Sequence, residues 1–366
     1  MASLLRERIA PRIRVAPQQG YVGLDIGTRA LKIALIERRG DGLSLASARA
    51  VSHDTPLAFD DPRRCVETIA QSLDRAWEPA SRWLGEEAAC VLPCSAMTIL
   101  NLTVPEASPD ELRAIIGGEF ADETGIAAQR WSFTWWKDCQ DAGHGEGTSL
   151  TAVGVPLDLS EQLLNVLLSR GLACRLMLSP PQVLARFTAP LPDAELNSNV
   201  AILDWGYESA VLTVARGGRP LFTRILRNCG LVRVIDAVAD GLQINPADVP
   251  LLICSDDSVD AAASDFGRPR GPLDELIDGA LSRLRDELMR TMNHLQRGAQ
   301  AALPQQMLLC GGGATLRGIS TRLSHWTRIP TSVWNGPCFG KGLGQLAPAP
   351  CLTASAAMLS AMRWNS

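Results

Sequence analysis

Apolar and polar positions alternate along this chain in a pattern that occurs twice. In the first copy, residues 21–51, an apolar run ends at Asp25 and two further strand-like runs follow. In the second copy, residues 200–226, an apolar run ends at Asp204 and again two runs follow. Both copies join their last two runs by a glycine-containing turn. An internal repeat of this kind predicts two lobes built from the same strands.

Apolar residues at intervals of three and four predict helices between these strands. The clearest start is at Ser108, an N-cap residue followed by Pro109 and by two acidic residues in the first turn. Pro272 opens a long helix with a continuous apolar face. The predicted helices span about 61–84, 108–124, 157–170, 183–187, 272–295, 316–326 and 352–363.

The order of these elements predicts an α/β protein with a small unit inserted into the first lobe. The six predicted segments are a basic N-terminal arm (1–19), the first lobe (20–87), the inserted α/β subdomain (88–177), a connecting segment (178–199), the second lobe (200–346) and a C-terminal helix that returns to the first lobe (347–366).

Four aromatic residues crowd one strand-like run of the inserted subdomain: Trp131, Phe133, Trp135 and Trp136. Side chains on a strand alternate between its two faces, so one buried face cannot receive all four. We therefore expect Trp136 or its neighbours to be exposed and to form a surface for a protein partner.

Composition excludes several classes of function. The 366 residues are 46% apolar and 20% charged, which is typical of a soluble globular protein. A net charge of −4 gives no electrostatic case for binding nucleic acid. The first residues lack the apolar core of a signal peptide, and no apolar run is long enough to span a membrane. The ten scattered cysteines fit free thiols in a reducing cytoplasm.

The turn after the first apolar run carries groups that a phosphate and its metal require. Gly27 lets the backbone approach closely, and exposed N–H groups with the Thr28 hydroxyl can donate hydrogen bonds. Lys32 supplies a positive charge, and Asp25 would hold Mg²⁺ directly or through water. The sequence therefore predicts a phosphate-binding turn at this position.

Two later sites extend this chemistry. Asp204, Gly206 and Ser209 repeat the aspartate, glycine and hydroxyl of the first turn. A run of three glycines, 311–313, lies between a predicted strand and a predicted helix. A tight strand–helix turn alone needs only one glycine, so three indicate that the backbone passes close to something, such as a purine or ribose.

The order and spacing of these sites resemble the actin, hexokinase and Hsp70 superfamily of nucleotide-binding proteins over nearly all of residues 20–363. Within it, the chain resembles the PilM family, actin-like cytoplasmic proteins of type IV pilus assembly that are similar to the cell-division protein FtsA. The segments that carry the likeness are 108–112 with 119–120, 217–220 with 223–224, and 311–314 with Leu316 and Gly318. The resemblance implies an actin-like, ribonuclease H-like fold whose duplicated lobes flank a nucleotide cleft.

The resemblance also implies that ATP and Mg²⁺ bind between the lobes. The implied assignments are Asp25, Gly27, Thr28 and Lys32 to the first phosphate loop, Asp204, Gly206 and Ser209 to the second, Gly311, Gly312 and Gly313 to the adenosine, and Asp25 and Asp204 to the metal.

A scaffold role follows from the same resemblance. PilM-like proteins bind the short cytoplasmic tail of the membrane protein PilN in a groove that involves the inserted subdomain, and they couple to the pilus motor ATPase. The expected location is therefore the cytoplasm, at the inner membrane through partners. Self-association into filaments is a further expectation that the sequence leaves open.

Two departures from the family pattern bear on catalysis. The connecting segment lacks the acid that the family usually carries, and Gln182 stands there instead, where it could orient a water molecule. Nearby prolines argue against fast hydrolysis. Glu208 in the second turn would repel a polyphosphate unless it points away or holds metal. These departures predict ATP binding with weak or absent hydrolysis.

Two other functions remain open from the sequence. One is a sugar or acid kinase of the same superfamily, against which stands the lack of a convincing catalytic aspartate beyond Asp25 and Asp204. The other is the actin-like cytoplasmic module of a type II secretion system or of a related pilus system.

Overall fold

The structure is a computed structural model that describes residues 20–39, 42–76, 87–138, 147–186, 188, 198–254, 271–298 and 302–334. Two five-stranded sheets of the same construction dominate it. In each sheet, the first three strands along the chain pair in antiparallel fashion. Two later strands then extend the sheet on the free side of the first strand, and they run parallel to it. This shared order confirms the duplication that the sequence predicts.

Each sheet is described from one edge strand to the other, with the strands numbered in chain order. The first sheet contains β3 (Gly42–Ser52), β2 (Ala30–Arg39), β1 (Gly20–Ile26), β4 (Glu87–Val91) and β8 (Ala173–Leu178). The second contains β11 (Arg219–Leu226), β10 (Ala210–Arg216), β9 (Val200–Trp205), β12 (Gln306–Cys310) and β13 (Thr331–Val333). A third sheet contains β5 (Thr98–Val104), β7 (Thr148–Pro156) and β6 (Trp131–Lys137).

Eight α-helices lie within the described residues. They are α1 (Pro62–Ala76), α2 (Pro109–Thr124), α3 (Leu157–Ser169), α4 (Pro180–Arg186), α5 (Val232–Leu242), α6 (Val249–Ile253), α7 (Pro272–Gly298) and α8 (Ile319–Thr327). The predicted start of α2 is confirmed, because Ser108 and Glu111 form a reciprocal capping box.

Each large sheet is covered by helices that bury its apolar face. In the first lobe, Ile69 and Leu73 of α1 and Leu163 of α3 pack against the sheet. In the second lobe, α5, α7 and α8 do the same, and the largest buried side chain there is Trp205. Helix α4 lies between the lobes, where Leu184 packs in one cluster with residues of both large sheets. The lobes are therefore joined through a shared apolar contact.

The third sheet packs on α2 through its aromatic residues. Phe120 stacks on Trp131 with 4.9 Å between ring centroids and lies 5.4 Å from the Phe133 ring. Trp135 follows on the same face, while Trp136 lies on the opposite one. Trp131 is buried and the other three aromatic residues of β6 are only partly buried, so none is as exposed as the sequence suggested.

Several predicted boundaries differ from the structure. Strands β4 and β8, predicted within the inserted subdomain (88–177), hydrogen-bond into the first sheet. Helix α4 begins at Pro180 rather than 183, because proline suits the first turn of a helix. Helix α8 begins at Ile319 rather than 316, after Gly318 with φ of 69°. The basic arm (1–19) and the C-terminal helix (347–366) lie outside the described residues.

No helix among the described residues is long and apolar enough to cross a membrane.

A buried hydroxyl in the second sheet gives a prediction about stability. Thr213 is fully buried, and its hydroxyl has no hydrogen-bond partner among the described residues. Replacing it by the nearly isosteric valine removes the cost of that unpaired group, so Thr213→Val should raise the free energy of unfolding in urea by about 1 kcal/mol. The matched control is Thr188→Val. Thr188 is equally buried, but it donates to the Ala185 carbonyl and accepts from Gly218 N–H, so this change should lower stability. Equal effects of the two substitutions would contradict the prediction.

Candidate functional site

The turn between β1 and β2, residues 27–29, is the first loop of the candidate site. Gly27 N–H donates to Ala30 O at 3.0 Å and closes the turn. All three loop carbonyls accept hydrogen bonds from the segment behind the loop: Gly27 O from His53 Nε2, Thr28 O from Leu57 N–H and Arg29 O from His53 N–H. The N–H groups of Thr28 and Arg29 have no acceptor among the described residues. The loop therefore turns its carbonyls inward and keeps two successive donors for a ligand.

The turn between β9 and β10, residues 206–209, is the second loop and repeats this arrangement. Gly206 N–H donates to Ser209 O at 3.0 Å, as Gly27 does to Ala30. The Gly206 and Tyr207 carbonyls accept from the N–H groups of Leu231 and Val232, at the start of α5. This contact is close because Gly230 has no side chain where the Tyr207–Glu208 backbone passes. In this loop, too, carbonyls are held from behind.

Both loops line one cavity of about 230 Å³ between the lobes. Eight of the ten residues predicted to bind the cofactor line it: Asp25, Gly27, Thr28, Lys32, Asp204, Gly206, Ser209 and Gly312. At the cavity, the Arg29 guanidinium lies 6.0 Å from the centre of the Tyr207 ring, a contact between the two loops. The structure thus brings the two predicted phosphate turns together.

The two aspartates of the cavity have different electrostatic surroundings. Asp25 pairs with Lys32 across β1 and β2, and Lys32 Nζ lies 2.7 Å from Asp25 Oδ2. Asp204 occupies the corresponding position on β9, but its partner on β10 is Val211, which brings no charge. Among the described residues, no side chain or N–H donates a hydrogen bond to the Asp204 carboxylate.

The ionised form of Asp204 is therefore disfavoured by burial, and few nearby groups stabilise it. Burial raises the pKa of the Asp204 carboxyl to about 6, the nearby Asp25 carboxylate adds to this effect, and Lys32 opposes it. Burial also raises the pKa of Glu208, which lines the same cavity. The carboxylates of Asp25, Asp204 and Glu208 thus line the cavity together with two cationic side chains, those of Arg29 and Lys32. This excess of negative charge favours the binding of an additional cation.

The glycine run is explained mainly by contacts with protein. A side chain on Gly313 would collide with the Trp205 ring, and one on Gly311 would collide with the Asp204 carboxylate. Gly311 also has φ of 82°, which favours glycine. Only Gly312 lines the cavity. The sequence predicts that all three glycines lie close to a ligand. Two of them, Gly311 and Gly313, instead lie close to the end of β9.

Gln182 is not brought to the cavity. Its Oε1 accepts from Ser179 N–H at 3.1 Å and from the Ser179 hydroxyl at 2.9 Å, which closes the first turn of α4. Pro180 is the residue of this segment that lines the cavity. The contacts give Gln182 a helix-capping role and leave its predicted catalytic role without geometric support.

The residue that sequence reasoning missed is His53. It follows β3 and is almost completely buried behind the first loop. Its distance of 26 positions from Gly27 gives no local signal, because only the pairing of β2 with β3 brings it there. Trp205 is a second such residue, since no local pattern indicates that its ring lies under the glycine run.

The cavity fits a magnesium polyphosphate better than a metal held by protein alone. Among the described residues, no three His, Cys, Asp or Glu side chains are placed so that together they could hold a metal ion. Mg²⁺ commonly binds through one or two carboxylates together with water and substrate phosphates. Asp25 and Asp204 provide two such carboxylates on one cavity, and the N–H groups of Thr28 and Arg29 suit phosphate oxygens.

Two like sheets that bring paired loops to one cleft define an actin-like fold, and solved structures confirm this prediction. The PilM–PilN type IV pilus biogenesis complex matches with a TM-score of 0.69 and 19% identity, over 94% of this chain and 99% of that chain. MreB5 of Spiroplasma citri bound to AMPPNP matches with a TM-score of 0.52 and 14% identity, over 95% and 97%. The ethanolamine utilization protein EutJ from Carboxydothermus hydrogenoformans matches with 0.50 and 13%, over 92% and 91%.

In sequence, no protein-family profile and no curated protein matches the chain. The fold that it shares with the PilM–PilN complex is therefore seen in the structure rather than in residue identity.

The unpaired Asp204 gives a prediction with a defined pH dependence. Its pKa of about 6 in the folded protein lies above the ordinary value of 3.8, so an ionised Asp204 destabilises the fold above about pH 6. Asp204→Asn should therefore raise the free energy of unfolding at pH 8 by about 1–3 kcal/mol, and this gain should vanish as the pH falls towards 4.

Asp25→Asn is the matched control, because it removes a carboxylate of the same cavity that has an ion pair. It should lower stability at pH 8, since Lys32 loses its contact at 2.7 Å. Urea titrations at pH 8 and pH 4.5 measure both effects. A loss of stability in Asp204→Asn at pH 8 would refute the argument.

Proposed function

We propose that this protein is an actin-like nucleotide-binding scaffold at the cytoplasmic face of a type IV pilus or related secretion machine. The observation that carries the proposal is one cavity lined by both duplicated loops, beside Asp25, Lys32 and Asp204, where the N–H groups of Thr28 and Arg29 have no acceptor among the described residues. The fold shared with the PilM–PilN complex supports the pilus assignment, and the fold shared with MreB5 bound to AMPPNP supports a nucleotide as ligand.

The ligand of the cavity is ATP with Mg²⁺. The triphosphate lies between the two loops and accepts hydrogen bonds from Thr28, Arg29 and the second loop. The cavity has three carboxylates and two cationic side chains, and the metal supplies the positive charge that balances them. Asp25 and Asp204 hold the metal directly or through water. Gly312 faces the cavity on the side assigned to the adenosine.

Binding of ATP requires the two loops to move apart. The cavity of about 230 Å³ is smaller than the roughly 300–1,000 Å³ of typical ligand pockets. The contact between Arg29 and Tyr207 joins the loops at 6.0 Å, and it separates when the cleft opens. Nucleotide occupancy is thus coupled to the spacing of the lobes.

The nucleotide acts as a switch rather than as a substrate of rapid turnover. The side chain of Gln182 is occupied by the start of α4, so no base is assigned to activate a water molecule. The protein binds ATP and hydrolyses it slowly or not at all.

The partner is the short cytoplasmic tail of a PilN-like membrane protein, which holds the scaffold at the inner membrane from the cytoplasm. A groove of about 420 Å³ between the third sheet and the start of α2 suits such a peptide. Its lining residues include the apolar Leu112, Trp135 and Leu150 and the charged Glu106 and Lys137. A mixed lining with charges of both signs matches an extended peptide that places one apolar side chain against Trp135. The motor ATPase and further copies of the chain complete the assembly.

The nucleotide site is tested by isothermal titration calorimetry with MgATP. Asp25→Ala should weaken binding at least about tenfold and reduce its dependence on Mg²⁺, because the metal loses a carboxylate. Asp74→Ala is the control: Asp74 is also ion-paired, to Arg170, but does not line the cavity, and its loss should leave affinity unchanged. Unchanged affinity in Asp25→Ala would show that the nucleotide does not bind at this cavity.

The alternative function, a small-molecule kinase, has a separate test. Rapid phosphorylation of sugars or organic acids by the wild type would favour it over the scaffold.

The groove is tested with a fluorescent peptide from the cytoplasmic tail of a PilN-like protein. Trp135→Ala should weaken its binding about tenfold or more, as expected of an aromatic anchor. Trp136→Ala is the matched control, because this neighbour lies on the opposite face of β6 and does not line the groove. If fluorescence anisotropy shows the same peptide affinity for the two variants, the peptide does not bind in this groove.

A further inference from the structure

The two loops hold their first carbonyl by different chemistry. In the second loop, Gly206 O accepts from the backbone N–H of Leu231. In the first loop, Gly27 O accepts from a side chain, His53 Nε2, at 3.0 Å. The remaining contacts correspond closely, since both loops close through a bond from glycine N–H to the residue three positions later. One of two otherwise similar loops thus depends on an imidazole.

The contacts of His53 define its protonation. Gly27 O can only accept, so Nε2 carries a hydrogen. Nδ1 lies 2.8 Å from Ser72 Oγ, and Ser72 Oγ accepts from Arg75 Nη2 at 3.2 Å. If Ser72 accepts from Arg75 and donates to Nδ1, every group in this chain of contacts is satisfied. That arrangement requires a neutral imidazole.

We propose that His53 is a positioning residue of the nucleotide site: its neutral imidazole holds the Gly27 carbonyl away from the cavity, so that the N–H groups of Thr28 and Arg29 face the phosphate. This inference rests on the proposed function of the same cavity. A turned Gly27 peptide would point a carbonyl oxygen towards a polyphosphate, and like partial charges would then oppose binding.

The charged groups around His53 oppose its protonation. Arg75 comes from α1, Arg29 comes from the first loop and donates to His53 O at 2.8 Å, and Asp54 follows His53 in the chain. Burial lowers the pKa of His53, and the charges of Arg75 and Arg29 lower it further against the bond to Gly27 and the charge of Asp54. A protonated ring would also donate from Nδ1 and leave the Ser72 hydroxyl hydrogen without its acceptor.

Protonation would not by itself release the Gly27 carbonyl, because Nε2 carries a hydrogen in the neutral and in the charged ring alike. The experiment therefore removes or keeps the donor at this position by substitution and compares affinities at one pH.

The test measures MgATP affinity by calorimetry at pH 7.5. His53→Gln keeps an N–H donor of similar reach to that of His53 Nε2, and His53→Leu removes the donor. His294→Gln is the control, because His294 lies on α7 against Phe222 and not at the cavity. His53→Leu should bind MgATP about tenfold more weakly than the wild type. His53→Gln and His294→Gln should bind it nearly as tightly as the wild type.

The outcomes are distinct. If His53 has a purely structural role, His53→Leu will lower the free energy of unfolding but bind MgATP as tightly as the wild type, which would overturn this inference alone. A His53→Gln variant that binds as weakly as His53→Leu would overturn it too. If His53→Leu does not fold, His53→Met, which also lacks the donor, takes its place in the comparison. A wild type that binds no MgATP would remove the proposed function and this inference together.

Discussion

Two carboxylates share one small cavity, and the rest of the candidate site depends on how their charge is balanced. Asp25 and Asp204 occupy equivalent positions in the duplicated sheets, but only Asp25 has a lysine across from it in the neighbouring strand. The protein thus keeps an ionised Asp204 at a cost in folding free energy. Such a cost is typical of residues that serve a ligand rather than the fold. In the function that we propose, a magnesium ion bound with the nucleotide offsets this cost.

The duplicated turns show how a backbone alone can build an anion site. Each turn is closed by one hydrogen bond from its glycine, and each has carbonyls held from behind. In the first turn, the N–H groups of Thr28 and Arg29 have no acceptor among the described residues and are therefore left for a ligand. The supports differ: residues 53–57 stand behind the first loop, and the start of α5 stands behind the second. Duplication therefore preserved the geometry of the turn more closely than the means of holding it.

The sequence was sufficient to predict the strands, the repeat and eight of the twenty residues that line the cavity, because these depend on local periodicity and on turn chemistry. It was insufficient where a residue's role depends on distant contacts. His53 reaches the first loop only through the pairing of β2 with β3. The reason for a glycine at position 313 is visible only in the structure, where the Trp205 ring lies beneath it. For Gln182 a local signal does exist, since serine followed three positions later by glutamine is a capping pattern, and it competes with the catalytic interpretation.

The same contacts indicate how the occupancy of the cavity would reach the rest of the molecule. The first loop is tied to α1 through His53 and Ser72. The second loop is tied to the start of α5, and Trp205 donates from Nε1 to Cys229 O at 2.7 Å just before that helix. A ligand that bridges both loops would therefore act on one helix of each lobe. Because packed interiors shift between discrete arrangements rather than deform continuously, we expect a change in loop spacing to move these helices as units.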